Sequence, residues 1–228
     1  VSFGLSEAGN IEFLAPSVSE PKTFRLILKA TSKNRLINEN MISIFVVPKT
    51  LVNTKIAVLD NSLEKSLKDA GINLCNISEA KVIYATSFSE ELEKLAKEGK
   101  TVILELSNDT KFSKFGYVLE RRKGITEARW VGGLGIFSPR IAGRTFREKI
   151  MDYRFIDDAP VNYLYGEFNF GSRTLAGMII GWLYYPMNFI VDIPLGEGSM
   201  IIHTFPMIDK LTTSPVMSAL LYQMVGWR

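Results

Sequence analysis

The sequence predicts an α/β protein: a partial β-sandwich followed by a mainly parallel, three-layer domain. Two observations predict it. Up to Pro48 apolar residues recur at every second position, the signature of half-buried strands. From Lys55 onward short apolar runs alternate with amphipathic stretches of helical spacing, the pattern of a mainly parallel sheet with helices on its faces. The expected division is 1–50 as the end of the sandwich and 51–228 as the α/β domain, with an aromatic-rich excursion at 107–171.

In the first part Phe24, Leu26 and Leu28 alternate with Arg25, Ile27 and Lys29, and Ile42, Ile44 and Val46 alternate with Ser43, Phe45 and Val47. Both runs are predicted strands, joined by the polar segment Thr31 to Asn40. A further short strand is expected at Ile11 to Leu14, bounded by the breakers Pro16 and Pro21. A full sandwich needs about seven strands, so the remaining ones are expected ahead of Val1, in a longer parent chain.

In the second part Lys55 to Leu59 is a predicted strand. Asp60, Asn61 and Ser62 are N-cap candidates for a helix that places Leu63, Leu67 and Ala70 on one face and stops at Gly71. Ile72 to Ile77 and Lys81 to Ala85 read as strands, followed by a helix with Phe88, Leu92, Leu95 and Ala96 inward and Gly99 at its stop. Thr101 to Leu106 is the next strand. After the excursion, Phe189 to Ile193 and Ser199 to Thr204 flank a glycine-containing hairpin turn at Pro194 to Gly198. Ser214-Pro215 then opens a last helix carrying Val216, Ala219, Leu220 and Met224.

Composition narrows the function. A net charge of +3 over 228 residues, with no basic run longer than Arg121-Arg122-Lys123, argues against a nucleic-acid partner. The single cysteine, Cys75, and the single histidine, His203, exclude an internal disulfide and a His/Cys zinc cluster. The stretch Thr174 to Val191 carries no charge and is long enough for a membrane helix, but Gly177, Gly181, Pro186 and Asn188 break it, and Tyr184-Tyr185-Pro186 reads as a turn between two strands. One cysteine and no signal-peptide pattern at the start favour the cytoplasm.

Several residues invite chemical readings. Glu39, in Asn38-Glu39, could be a glycosidase acid, but it lies among strand-like residues and reads as a solvated loop carboxylate. Cys75 and His203 could pair as nucleophile and base. Cys75 sits inside a predicted strand with no elbow glycine, however, and His203 reads as a structural histidine of another strand. Trp130 to Gly135 is glycine-rich but lacks the Gly-Lys-Ser/Thr ending of a phosphate loop. Asp157-Asp158 offers a hard cation too few oxygens and reads as a solvated loop. Tyr153, Phe155, Tyr163, Tyr165, Phe168, Phe170, Trp182, Tyr184 and Tyr185 could stack on sugar rings, with packing under the excursion as the other reading. Trp130, Trp182 and Trp227 are the natural reporters for such binding. No catalytic, cofactor-binding or metal-ligating residue is expected in this chain.

Three segments carry a family resemblance. A sandwich end with Asn38-Glu39-Asn40 closes at Val46-Val47-Pro48 and runs into Lys55-Ile56-Ala57-Val58-Leu59-Asp60, and the chain ends with Gly196-Glu197-Gly198-Ser199-Met200-Ile201-Ile202 and Ser214-Pro215. This resembles the C-terminal portion of a family 2 glycoside hydrolase of the β-galactosidase, β-mannosidase or β-glucuronidase kind. There an immunoglobulin-like module and a catalytically silent module, similar to class I glutamine amidotransferases and flavodoxin-like in layout, follow the catalytic barrel. Trimeric β-galactosidases of another family carry a similar silent domain for assembly. The resemblance implies a non-catalytic accessory or assembly portion of an enzyme acting on β-glycosides, with the barrel or another subunit as partner, a possible carbohydrate contact and a possible homo-oligomer. No barrel is present here, so it assigns hydrolysis to no residue. Two other functions stay open: a stand-alone amidotransferase-like hydrolase using Cys75 and His203, and a carbohydrate-binding module.

Overall fold

The computed structural model describes residues 10–20, 22–46, 48, 54–107, 111–121, 135–142, 158–180 and 185–226. The chain divides into two units, 1–48 and 49–228.

The first unit is an antiparallel ribbon of β1 (Lys22–Ser32) and β2 (Arg35–Val46), paired from Lys22 opposite Val46 to Ser32 opposite Arg35 with a one-residue shift between Ala30 and Thr31. Phe24 and Leu26 lie opposite Ile44 and Ile42, so the alternation seen in the sequence becomes one apolar face. The expected polar connection Thr31 to Asn40 is mostly strand instead. Lys33 and Asn34 both take left-handed backbone (φ 48° and 60°), the two-residue turn whose twist matches paired strands, and so the ladder continues to the turn. Residues 10–20 form no strand, which corrects the expectation at Ile11 to Leu14.

The second unit is an α/β fold around one curled, mixed sheet. Its first strand, β3 (Ile56–Val58), leads through a single 3-10 turn, capped by Asp60 accepting from the Ser62 amide at 2.8 Å, into α1 (Glu64–Asp69). Gly71 closes this helix at φ 79°, with its own amide bonded to the Lys68 carbonyl and the Ile72 amide to the Leu67 carbonyl, a Schellman stop. Ile72 to Ile77 is not a full strand: only Leu74 bridges β3, through Ile56 donating to Asn73 and Cys75 donating to Ile56, each at 3.0 Å. Beyond it come β4 (Val82–Ala85), α2 (Glu90–Lys97) and β5 (Thr101–Glu105).

Helix α2 follows directly from its sequence. The Ser89 hydroxyl accepts from the Leu92 amide at 3.2 Å, three glutamates occupy the first turn, and Lys94 and Lys97 the last, which complements the helix dipole at both ends. Leu92 and Ala96 are buried against Val102, Leu104, Met200 and Ile202. Burial of Leu92 alone contributes about 2 kcal/mol.

The excursion supplies β6 (Ser113–Lys114), β7 (Tyr117–Arg121), β8 (Ile136–Phe137), α3 (Pro139–Ala142) and β9 (Asn162–Tyr165). The chain then forms β10 (Thr174–Ile180), β11 (Tyr185–Leu195), β12 (Gly198–His203), α4 (Met207–Lys210) and α5 (Pro215–Val225). Strand order is β3-β4-β5-β12-β11-β9-β7-β6, with β10 paired to β11 and β8. Pairing is parallel from β3 to β12 and antiparallel from β12 onward, so the sheet is mixed rather than mainly parallel. The reason is the excursion: β9 reaches β11 without a helical crossover, and β10 and β11 pair as neighbours in sequence. The uncharged stretch Thr174 to Val191 is thus largely a strand pair. Among the described residues no helix is long and apolar enough to cross a membrane.

Candidate functional site

Ligands of open α/β sheets collect outside the carboxyl ends of the parallel strands, and there β4, β5 and β12 deliver Tyr84, Glu105 and His203. Each alternates with a residue of the α2-side core (Ile83, Leu104, Ile202), so the three project to the opposite face. Glu105 accepts from the Tyr84 hydroxyl, from the Ser107 hydroxyl at 2.5 Å and from the Ile208 amide at the start of α4 at 3.0 Å. Burial raises its carboxyl above the usual range, while these three donors pull it down. Burial, with Glu105 beside it, lifts the Tyr84 phenol well above its ordinary value.

This cluster is a tie between two strands and a helix. Its polar atoms are spent on one another, and Glu105 is 1% exposed. Glu105→Ala is expected to cost about 3 kcal/mol, because the Tyr84 hydroxyl and the Ile208 amide lose their acceptor in the interior. Glu105→Gln, which keeps an acceptor, should cost less than half of that, as urea denaturation of the two variants will read. Glu105 is not among the residues singled out above, although a carboxylate inside the apolar run Thr101 to Leu106 is a usable signal.

His203 is wholly buried. Its ring stands 6.2 Å from that of Tyr84, and among the described residues neither ring nitrogen has a side-chain hydrogen-bond partner. Burial pushes the imidazole down to about 3, against a smaller upward pull from the Phe205 main chain.

Cys75 is half-buried elsewhere. It packs against the α2-side core, on the opposite face from His203, and lies alongside β3 at the outer edge of the sheet. From there β3, β4 and β5 must be crossed to reach the imidazole on β12, four strand spacings or about 19 Å. The fold does not bring the thiol and the imidazole together.

Glu39 is exposed but on a strand rather than in a loop, 3.2 Å from Lys29 directly across the ribbon. Asp158 is not a solvated loop residue. It accepts from the Ser214 hydroxyl at 2.5 Å and pairs with Lys210 at 3.1 Å, while Ser214 caps α5 by accepting from the Met217 amide at 3.2 Å. The physical reason is the cap itself, which needs a buried hydroxyl held in place. Asp157, Trp130 to Leu134, Tyr153, Phe155, Trp182, Tyr184 and Trp227 lie outside the described residues. Among the described residues no three His, Cys, Asp or Glu side chains could hold a metal ion.

The antiparallel half holds a second cluster. The hydroxyls of Tyr163 on β9 and Tyr185 on β11 both donate to Oε2 of Glu120 on β7, at 2.6 and 2.7 Å, and stand 3.1 Å from each other. Burial and the bond to Glu120 raise the Tyr163 phenol. Tyr165 stacks on Tyr185, with ring centres 5.0 Å apart and planes at 25°, and Phe168 stacks on Phe170 at 6.0 Å. Two of the aromatic residues singled out by sequence thus meet at one carboxylate that sequence did not suggest, and a third, Tyr165, stacks on one of them.

No family model and no curated protein matches the sequence. Among solved structures the chain is similar to the β-galactosidase of Bacillus circulans sp. alkalophilus, at 12% identity and a TM-score of 0.35 over 73% of this chain and 30% of that one. It is also similar to a cytoplasmic protein of Salmonella typhimurium, at 9% identity and a TM-score of 0.41 over 90% and 95% of the two chains. A putative ThuA-like protein of Parabacteroides merdae matches at 7% identity and a TM-score of 0.32, over 73% and 89%. The chain therefore spans under a third of the length of the β-galactosidase.

Proposed function

We propose that this chain acts by contact, as a non-catalytic accessory and assembly portion of a glycoside hydrolase acting on β-glycosides. In this reading the ribbon is the end of an immunoglobulin-like module and the α/β unit an amidotransferase-like, flavodoxin-like module. Its partner is the catalytic barrel of the parent enzyme or another subunit. One observation carries the proposal: the lone thiol and the lone imidazole stand on opposite faces of the sheet, four strands apart, with the imidazole shut off from solvent. A thiol hydrolase requires the two within hydrogen-bond reach. The order of elements, from ribbon through parallel strands to a Ser-Pro-capped last helix, supports the glycosidase context through the resemblance in sequence.

The test uses the whole chain with p-nitrophenyl β-galactoside, β-mannoside and β-glucuronide, and with glutamine. Turnover is expected to match buffer and to be unchanged by iodoacetamide. Turnover that alkylation abolishes would contradict the proposal and favour the Cys75 hydrolase.

A further inference from the structure

We propose that Glu120, Tyr163, Tyr165 and Tyr185 form a binding site for one pyranose ring of a β-glycoside. The inference deepens the accessory reading and rests on it, naming the place where such a module touches sugar.

The site begins with register. Strands β7 and β9 pair Val118 with Tyr165, Leu119 with Leu164 and Glu120 with Tyr163. Leu119 and Leu164 turn into the α2-side core, which leaves Glu120, Tyr163 and Tyr165 side by side on the other face. Two phenols converge on a single carboxylate oxygen, Oε2, and among the described residues nothing bonds Oε1. The carboxylate is thus held in one rotamer with an acceptor to spare, and a ligand hydroxyl that meets it finds little conformational entropy left to lose. Hydrogen bonds to an ionised carboxylate are the strong kind.

The aromatic part selects the ligand. Tyr165 is 42% exposed and stacks on the ring of Tyr185, whose hydroxyl holds Glu120, so it offers an exposed, supported ring on the same face as that acceptor. A pyranose has the matching pair of surfaces, a C–H face for the ring and a rim of hydroxyls for Oε1. A quaternary ammonium or a basic side chain asks for several rings closing round one point. Here the two exposed-side rings are stacked, and Tyr163, the ring set edge-on to Tyr185 at 79°, is 6% exposed, so no cage forms among the described residues.

Saturation-transfer NMR on the full chain tests this with methyl β-galactopyranoside and methyl β-mannopyranoside as probes and tetramethylammonium as the cationic control. The expected result is saturable millimolar binding of at least one glycoside, with transfer strongest at its ring C–H protons. Tyr165→Ala and Glu120→Gln should each weaken it about tenfold, while Tyr165→Phe, which keeps the ring, should leave it nearly unchanged. Circular dichroism confirms that each variant is folded. Absence of saturable transfer from both glycosides, binding indifferent to Tyr165→Ala, or displacement of the sugar by tetramethylammonium would overturn the proposal. None of these readouts involves turnover, so their failure removes the sugar site and leaves the accessory role to the hydrolysis assay.

Discussion

Replacing His203 by leucine is expected to stabilise the protein by about 1 to 2 kcal/mol at neutral pH, because two buried ring nitrogens, with no side-chain partner among the described residues, give way to apolar atoms of similar volume. The gain should grow in acid. Burial moves the imidazole from 6.5 to about 3, so below 6.5 the unfolded chain binds a proton that the folded chain refuses. Stability that is full above 6.5 is therefore lost as pH falls towards 3, by about 1.4 kcal/mol per unit. At pH 4 the variant should lead by roughly 3 kcal/mol more than at pH 7. Glu105 works in the other direction: its raised carboxyl contributes stability below the ordinary carboxylate value, and that contribution is lost as pH rises through the folded value. Urea midpoints of the wild type, His203→Leu and Glu105→Gln between pH 4 and 7 separate the two slopes.

Gly198→Ala should destabilise by about 3 kcal/mol. A Cβ on Gly198 would stand 2.3 Å from the Lys100 carbonyl oxygen, just before β5, and 2.4 Å from that of Ala96, in the last turn of α2, both main-chain atoms. These cannot swing aside as a side chain does. The β11-β12 hairpin and the α2-β5 connection would have to part, breaking the bond from the Ser199 amide to Lys100 at 3.2 Å. In a chain of this size the loss lowers the melting temperature by roughly 6 to 12 °C. Gly116→Ala is the control. Its backbone is left-handed at φ 81°, unlike that of Gly198, but nothing lies within 4 Å of the added carbon, so only conformational strain of about 1 kcal/mol is expected.

The legible parts of the sequence were those decided locally. Ser89, the spacing of Leu92 and Ala96, and Gly99 define α2 from start to Schellman stop, and Ser214-Pro215 defines the start of α5. The glycines of the β11-β12 turn likewise read directly, since Gly196 needs φ 57°. What failed were features set by partners. Thr31 to Asn40 is polar yet stranded because an apolar ribbon face across the ladder and a left-handed turn at Lys33-Asn34 carry it. Ile72 to Ile77 has strand composition but only an edge position beside a three-residue strand, so one bridge forms. The mixed sheet was missed because its antiparallel half is made by the excursion, where no period is visible. The two polar clusters joined residues too distant for any spacing rule: Glu120 meets Tyr163 and Tyr185 across 43 and 65 positions, and Glu105 meets Ile208 across 103.

The protein contains one histidine, which makes its ring signals in a nitrogen-15 NMR spectrum unambiguous. Following those signals from pH 8 to pH 4 asks whether the sole imidazole is available to chemistry at all. Burial without a partner predicts a neutral ring that does not titrate anywhere in that range and resists acylation by diethylpyrocarbonate. A midpoint near 6.5, together with rapid acylation, would place His203 in contact with solvent and contradict the account.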